Sequence, residues 1–151
     1  MRVCPTGGLQ PVFFESGLEG LWTPRLFPRI GYCEYHCRLC GQVCPTGAIR
    51  FLEIGEKEKT EIGKAVFDKN LCLPYRKGQN CIVCEEHCPT FPKAIKFSKE
   101  ERIDLSGSAY LLNLPFVSEN ECIGCGICEN KCPLPGKAAI TVVRGEAEDE
   151  F

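Results

Sequence analysis

Apolar positions along the chain come in short bursts separated by polar, glycine- or proline-containing breaks, so the elements they predict are short. Residues 9–22 (Leu9-Gln10-Pro11-Val12-Phe13-Phe14 through Gly17, Gly20 and Trp22) carry apolar side chains on one side and predict a short helix or turn packing as a lid. Trp22, Phe13 and Phe14 are the candidates to cover a buried site there. Thr23-Pro24 ends any helix, and residues 26–32 run extended into Cys33. Residues 48–54 alternate like a strand, Ala65-Val66-Phe67-Asp68 predicts a second, and the charged stretch 55–61 between them reads as a solvated hairpin tip. Further on, Ala94-Ile95-Lys96-Phe97 and the apolar stretch 110–117 predict a two-stranded hairpin, and residues 138–143 a last strand. The acidic tail 144–151 is expected to be disordered.

Such a pattern provides little apolar core for 151 residues with 15 glycines and 11 prolines. Thirteen cysteines change the picture, because metal cross-links then take over part of the work of holding the chain together. Charge changes it less. Eighteen basic against 20 acidic residues give a net charge of −2, which provides no basic field for nucleic acid. Redox proteins, one donor and one acceptor, are the expected partners. No run of about 18 apolar residues predicts a transmembrane segment. The N-terminal residues show no export-signal pattern, which leaves cytoplasmic and membrane-associated placements open.

The cysteines fall into three runs that each end in Cys-Pro. The first is Cys33-x3-Cys37-x2-Cys40-x3-Cys44-Pro45, the second Cys72-x8-Cys81-x2-Cys84-x3-Cys88-Pro89, and the third Cys122-x2-Cys125-x2-Cys128-x3-Cys132-Pro133. The third has the spacing of a bacterial-type iron–sulfur ligand run. A lone Cys4-Pro5 completes a series of Cys-Pro pairs at 4, 44, 88 and 132, which is a fourfold repeat whose first copy lacks its triplet. The expectation is that a C-x2-C-x2-C segment precedes Met1. Gaps of two or three residues argue against disulfides, and triplets closing on Cys-Pro argue against zinc, which favours separated pairs or histidines. His36 and His87 lie inside the runs but are not needed as ligands.

In each run three closely spaced cysteines can wrap one cubane, while the fourth is carried away by proline to another cluster. Gly41, Gly124 and Gly126 fit the tight turns that let backbone N–H groups approach the sulfurs. Three 4Fe–4S clusters need twelve thiolates and leave one cysteine over. A nested grouping, favoured for its compact middle pair, joins Cys33, Cys37 and Cys40 to Cys88, joins Cys72, Cys81 and Cys84 to Cys44, and joins Cys122, Cys125 and Cys128 to Cys4. A sequential grouping instead gives Cys4 to the first run, Cys132 to the second and Cys88 to the third, leaving Cys44 spare. If the third run closes on its own Cys132, the spare is Cys4. The nested grouping implies an outer unit of residues 1–32 and 89–143, an inner unit of 33–88, and the tail. The eight residues between Cys72 and Cys81 read as a loop around a cluster edge, with Arg76 and Lys77 solvated or facing an acidic partner.

The first run also matches the C-x3-C-x2-C of radical SAM enzymes. Cys44-Pro45 nevertheless follows at ferredoxin spacing, and the chain is shorter than a barrel of about 200 residues or more. An electron carrier is thus the leading reading, with a fragment or accessory domain of an iron–sulfur oxidoreductase or radical SAM activase as the enzymatic alternative. In a third reading the clusters merely staple an interaction module. The repeats, the long Cys72–Cys81 gap and the ending Cys132-Pro133-Leu134 with Ala138-Ala139-Ile140 together resemble polyferredoxins of the NapG/MauM type over residues 1–143. That resemblance implies an α+β fold of interleaved bacterial ferredoxin-like units with short hairpins, short helices and many loops. It also implies four 4Fe–4S clusters in a full-length parent, relaying electrons between a membrane quinol-oxidising subunit and a terminal oxidoreductase. The chain departs from the family pattern in lacking the first triplet and a twin-arginine signal, and in the x3 gap after Cys33.

Overall fold

A computed structural model of the chain describes residues 1–13, 20–103 and 107–144. The fold is α+β: six strands in three separate two-stranded antiparallel sheets, with five helical turns of four or five residues among the described residues. Strand β1 (Leu9–Val12) pairs with β2 (Thr23–Leu26), bringing Pro11 opposite Pro24. Neither proline can donate to a ladder, which keeps this ribbon short. The helix or turn expected over 9–22 is therefore a strand at its start, and residues 14–19 lie outside the described part. Trp22 and Phe13 stack edge to face 4.8 Å apart, but Trp22 stays 63% exposed and Phe13 46%, so neither acts as the expected lid.

The hairpin of β4 (Ile95–Ile103) and β5 (Ala109–Val117) agrees with expectation, in register from Ile95↔Val117 to Ile103↔Ala109. The strand expected over 48–54 is absent. Its intended partner β3 (Lys64–Phe67) pairs instead with β6 (Ile140–Val143), Ala65 opposite Val142 and Phe67 opposite Ile140. That long-range choice buries Ala65 and Ile140, whereas residues 48–53 pack as irregular chain, with the Arg38 guanidinium 5.2 Å from the Phe51 ring centre. The charged stretch expected as a hairpin tip forms the single turn α2 (Ile54–Lys57) instead.

The remaining helical turns are α1 (Leu39–Gln42), α3 (Leu73–Lys77), α4 (Val83–Glu86) and α5 (Ile127–Lys131). α3 occupies the long gap after Cys72, so that segment is a helical turn docked on β5, where the Tyr75 hydroxyl donates to the Pro115 carbonyl at 2.8 Å. The main core joins Ala65, Ala94, Ile95 and Ile140 to the thiols Cys84, Cys122 and Cys128. Phe67, Val117 and Val142 pack around them. Apolar packing and the cysteines of the second and third runs are therefore one core.

Candidate iron–sulfur centres

The same local device recurs in all three runs. The third cysteine of each triplet, Cys40, Cys84 or Cys128, is the second residue of a helical turn, α1, α4 or α5, while the first two lie in the loops before it. The Cys-Pro pair follows the end of the turn, where proline prevents its continuation. In the third run the loop needs glycine. Gly124 and Gly126 have φ of 73° and 80°, and a Cβ on Gly124 would collide with the Gly63 carbonyl and one on Gly126 with the Pro28 ring.

Two cavities of nearly equal size define the best-formed sites. One, of about 20 Å³, is lined by Cys122, Cys125 and Cys128 together with Cys88. The other, also of about 20 Å³, is lined by Cys72, Cys81 and Cys84 together with Cys132. Each run thus supplies three thiols to its own cavity and its Cys-Pro thiol to the other's. This placement follows the sequential grouping and departs from the nested one, because Cys88 lies with the third triplet rather than the first and Cys44 lines neither cavity. The pairing of β3 with β6 accounts for it, since it folds the start of the second run against the end of the third.

Among the described residues, no three Cys, His, Asp or Glu side chains gather around one point as a single metal ion requires. The thiols are instead spread around a volume in two sets of four, which fits the donor set of a 4Fe–4S cluster.

Burial pushes the Cys72 and Cys125 thiols up to about 11 and Cys84 to about 12, with neighbouring cysteines adding to the effect, and it raises Cys128 further. Such groups are stable as thiolates only when positive charge compensates them, as iron does. Backbone N–H groups assist: Ala65 donates to the Cys122 sulfur and Ala139 to the Cys132 sulfur, both at 3.4 Å.

The first run is more open. Cys33 and Cys40 line a larger cavity that also reaches Cys125, and Cys37 sits on a turn closed by its N–H to the Glu34 carbonyl at 3.1 Å. The Cys33 N–H donates to the Cys125 carbonyl at 2.8 Å, which fastens the first run to the third. Burial raises the Cys33 thiol, opposed by the Lys57 ammonium. Cys4 reaches the neighbourhood through the Thr6 hydroxyl, which donates to the Tyr32 carbonyl next to Cys33. Gly8 and Gly31 lie backbone to backbone beside it.

Cys4 and Cys44 share a Cys-Pro-Thr-Gly turn in which the threonine hydroxyl meets the sulfur at 3.4 and 3.6 Å; Cys88 and Thr90 repeat that contact at 3.3 Å. At Cys4 burial acts to raise the thiol, but hydrogen bonds from Thr6 and the backbone outweigh it and lower its pKa. The Ile49 N–H, with help from Thr46, lowers that of Cys44.

Sequence reasoning missed three cations that hold these loops. Arg29 donates to the carbonyls of Glu129 (2.9 Å), Leu134 (2.8 Å) and Cys132 (3.3 Å) at the end of the third run. Lys57 donates to the Glu34 and Tyr35 carbonyls inside the Cys33–Cys37 gap, and Lys64 to the Glu119 and Cys122 carbonyls. None carries a local signature, because a lysine that caps distant carbonyls has the same sequence context as a solvated one.

The 4Fe-4S binding domain family matches residues 115–134, the third run and its approach. The chain is 36% identical to the methylamine utilization ferredoxin-type protein MauM of Paracoccus denitrificans over 95% of its own length and 61% of that protein. It is 35% identical to MauM of Methylorubrum extorquens over 97% of this chain and 63% of the relative. With the ferredoxin-type protein NapG of Escherichia coli it shares 32% identity over 97% of this chain and 64% of the relative. The chain therefore spans somewhat less than two thirds of the length of these relatives. No solved structure matches it.

Proposed function

The chain is a homologue of the MauM and NapG ferredoxin-type proteins and carries a 4Fe–4S binding domain, and on that premise we propose that it is an electron carrier holding three 4Fe–4S clusters. Each cluster, when bound, accepts and donates single electrons at a potential set by its surroundings. The ligands are Cys72, Cys81, Cys84 and Cys132 for one, Cys122, Cys125, Cys128 and Cys88 for the second, and Cys33, Cys37, Cys40 and Cys4 for the third. Cys44 is the spare thiol. The observation that carries this reading is the pair of similar-sized cavities, each lined by one complete triplet and the Cys-Pro thiol of the other run.

The same geometry supports an order for the relay. Cys125 lines one cavity with Cys88 and another with Cys33, and Cys128 shares the main core with Cys84, so the third run sits between the first and the second. Electrons then enter at one outer site and leave at the other, and the two redox partners dock at opposite ends. A membrane quinol-oxidising subunit is the proposed donor. With this ligand division, residues 63–143 act as one ferredoxin-like unit with exchanged fourth ligands, and residues 1–62 carry the more exposed site beside it.

Iron and acid-labile sulfide analysis of anaerobically purified protein tests the count. About twelve irons per chain, all reversibly reducible, are expected. About eight would remove the first site, and clusters that cannot be reduced reversibly would overturn the carrier role.

A further inference from the structure

We propose that Lys57 sets the reduction potential of the site formed by Cys33, Cys37 and Cys40, by holding an uncompensated positive charge against Cys33. This inference rests on the proposed cluster at that site. Lys57 closes α2, anchored by its N–H to the Glu53 carbonyl at 2.8 Å. Its ammonium donates to the Glu34 carbonyl at 2.7 Å and to the Tyr35 carbonyl at 2.8 Å, two of the three residues separating Cys33 from Cys37. An ammonium has three donors, two of which are used on these carbonyls, and Lys57 and Cys33 line the same cavity.

The loops of the other two runs are capped by lysines in the same way, with one difference. Lys64 is also paired with Glu61 at 2.8 Å, and Lys93, on the Glu85 and Glu86 carbonyls, is paired with the Glu85 carboxylate at 2.9 Å. Among the described residues no carboxylate forms such a pair with Lys57. Reduction adds one negative charge at the site, so a nearby cation without a counter-charge favours the reduced state and raises the potential. Charge held on the Cys33–Cys37 loop, in the cavity that Cys33 lines, is thus the working property of Lys57. Its hydrogen bonds to the loop make it a positioning residue as well.

An EPR-monitored redox titration of the full chain, reduced with dithionite, tests this. In Lys57→Met the midpoint of one cluster is expected to fall by at least about 59 mV, a tenfold change in its reduction equilibrium, with the other two unmoved. Lys57→Arg, which keeps the charge, is expected to hold the midpoint within half of that shift. An unchanged midpoint in Lys57→Met at full iron content would overturn the proposal, as would equal falls in Lys57→Met and Lys57→Arg. Should Lys57→Met lose iron, Thr60→Asp places a carboxylate in the same cavity with Lys57 intact. A lowered midpoint for that cluster alone supports the proposal, and an unmoved one overturns it. Failure of the underlying cluster reading looks different, because the unaltered chain would then already lack about four irons.

Discussion

The second and third runs differ from the first in where their thiols lie. Cys72, Cys84, Cys122 and Cys128 are all less than a tenth exposed and three of them belong to the main core, whereas no cysteine of the first run is buried. Exchange of the Cys-Pro thiols between two runs makes the difference, because each cavity then needs both runs folded before it closes. Among the described residues, the cavity of the first run is lined by Cys33 and Cys40 with Cys125 and by no Cys-Pro thiol, and the run is tied to the rest by hydrogen bonds such as Cys33 N–H to the Cys125 carbonyl. Exchange of thiols between two cavities therefore welds the second and third runs into one core, to which the first run, without such an exchange, is only attached.

The largest effect is expected from removing a thiol of the welded pair. Cys128→Ala is expected to lose about four of about twelve irons and to destabilise the remaining core site, while Cys37→Ala loses the first site and leaves the other two intact. Iron analysis with anaerobic thermal melts checks both; equal melting losses in the two variants would erase the distinction. Next comes packing without any ligand change. Ile140→Ala removes a side chain that is 1% exposed in the main core, beside the cavity of the second run, and is expected to cost about 2–5 kcal/mol, against less than about 0.5 kcal/mol for Val43→Ala at 57% exposure. Denaturation midpoints under anaerobic conditions measure that gap.

A smaller effect is expected from Arg29→Met, which leaves three carbonyls at the end of the third run without their charged donor. Because the side chain lies at the surface, the cost is about 1 kcal/mol, read from the same midpoints. Smallest is Cys44→Ser. Its thiol lines neither enclosed cavity, so iron content and stability should both stay at the level of the unaltered chain; loss of about four irons would restore the nested grouping.

Much of this was legible in the residues. Triplet spacing grouped the thiols that line each of the two cavities, and the hairpin from Ile95 to Val117 and the last strand follow local alternation. What local pattern cannot carry is choice among distant partners. Residues 48–54 and 140–143 both read as strands able to pair with 64–67, and only the burial of Ala65 and Ile140 among thiols selects the second. The destination of each Cys-Pro thiol depends on that same pairing, which is why spacing alone left three groupings open. The β1 ribbon escaped notice because its two prolines and the nearby glycines imitate a broken helix.

Anomalous diffraction at the iron edge from anaerobically grown crystals tests the exchange of Cys88 and Cys132 directly. One cluster is expected to be bonded to Cys122, Cys125, Cys128 and Cys88, and a second to Cys72, Cys81, Cys84 and Cys132. Iron joining Cys88 to the Cys33 triplet, or Cys132 to its own triplet, would contradict it.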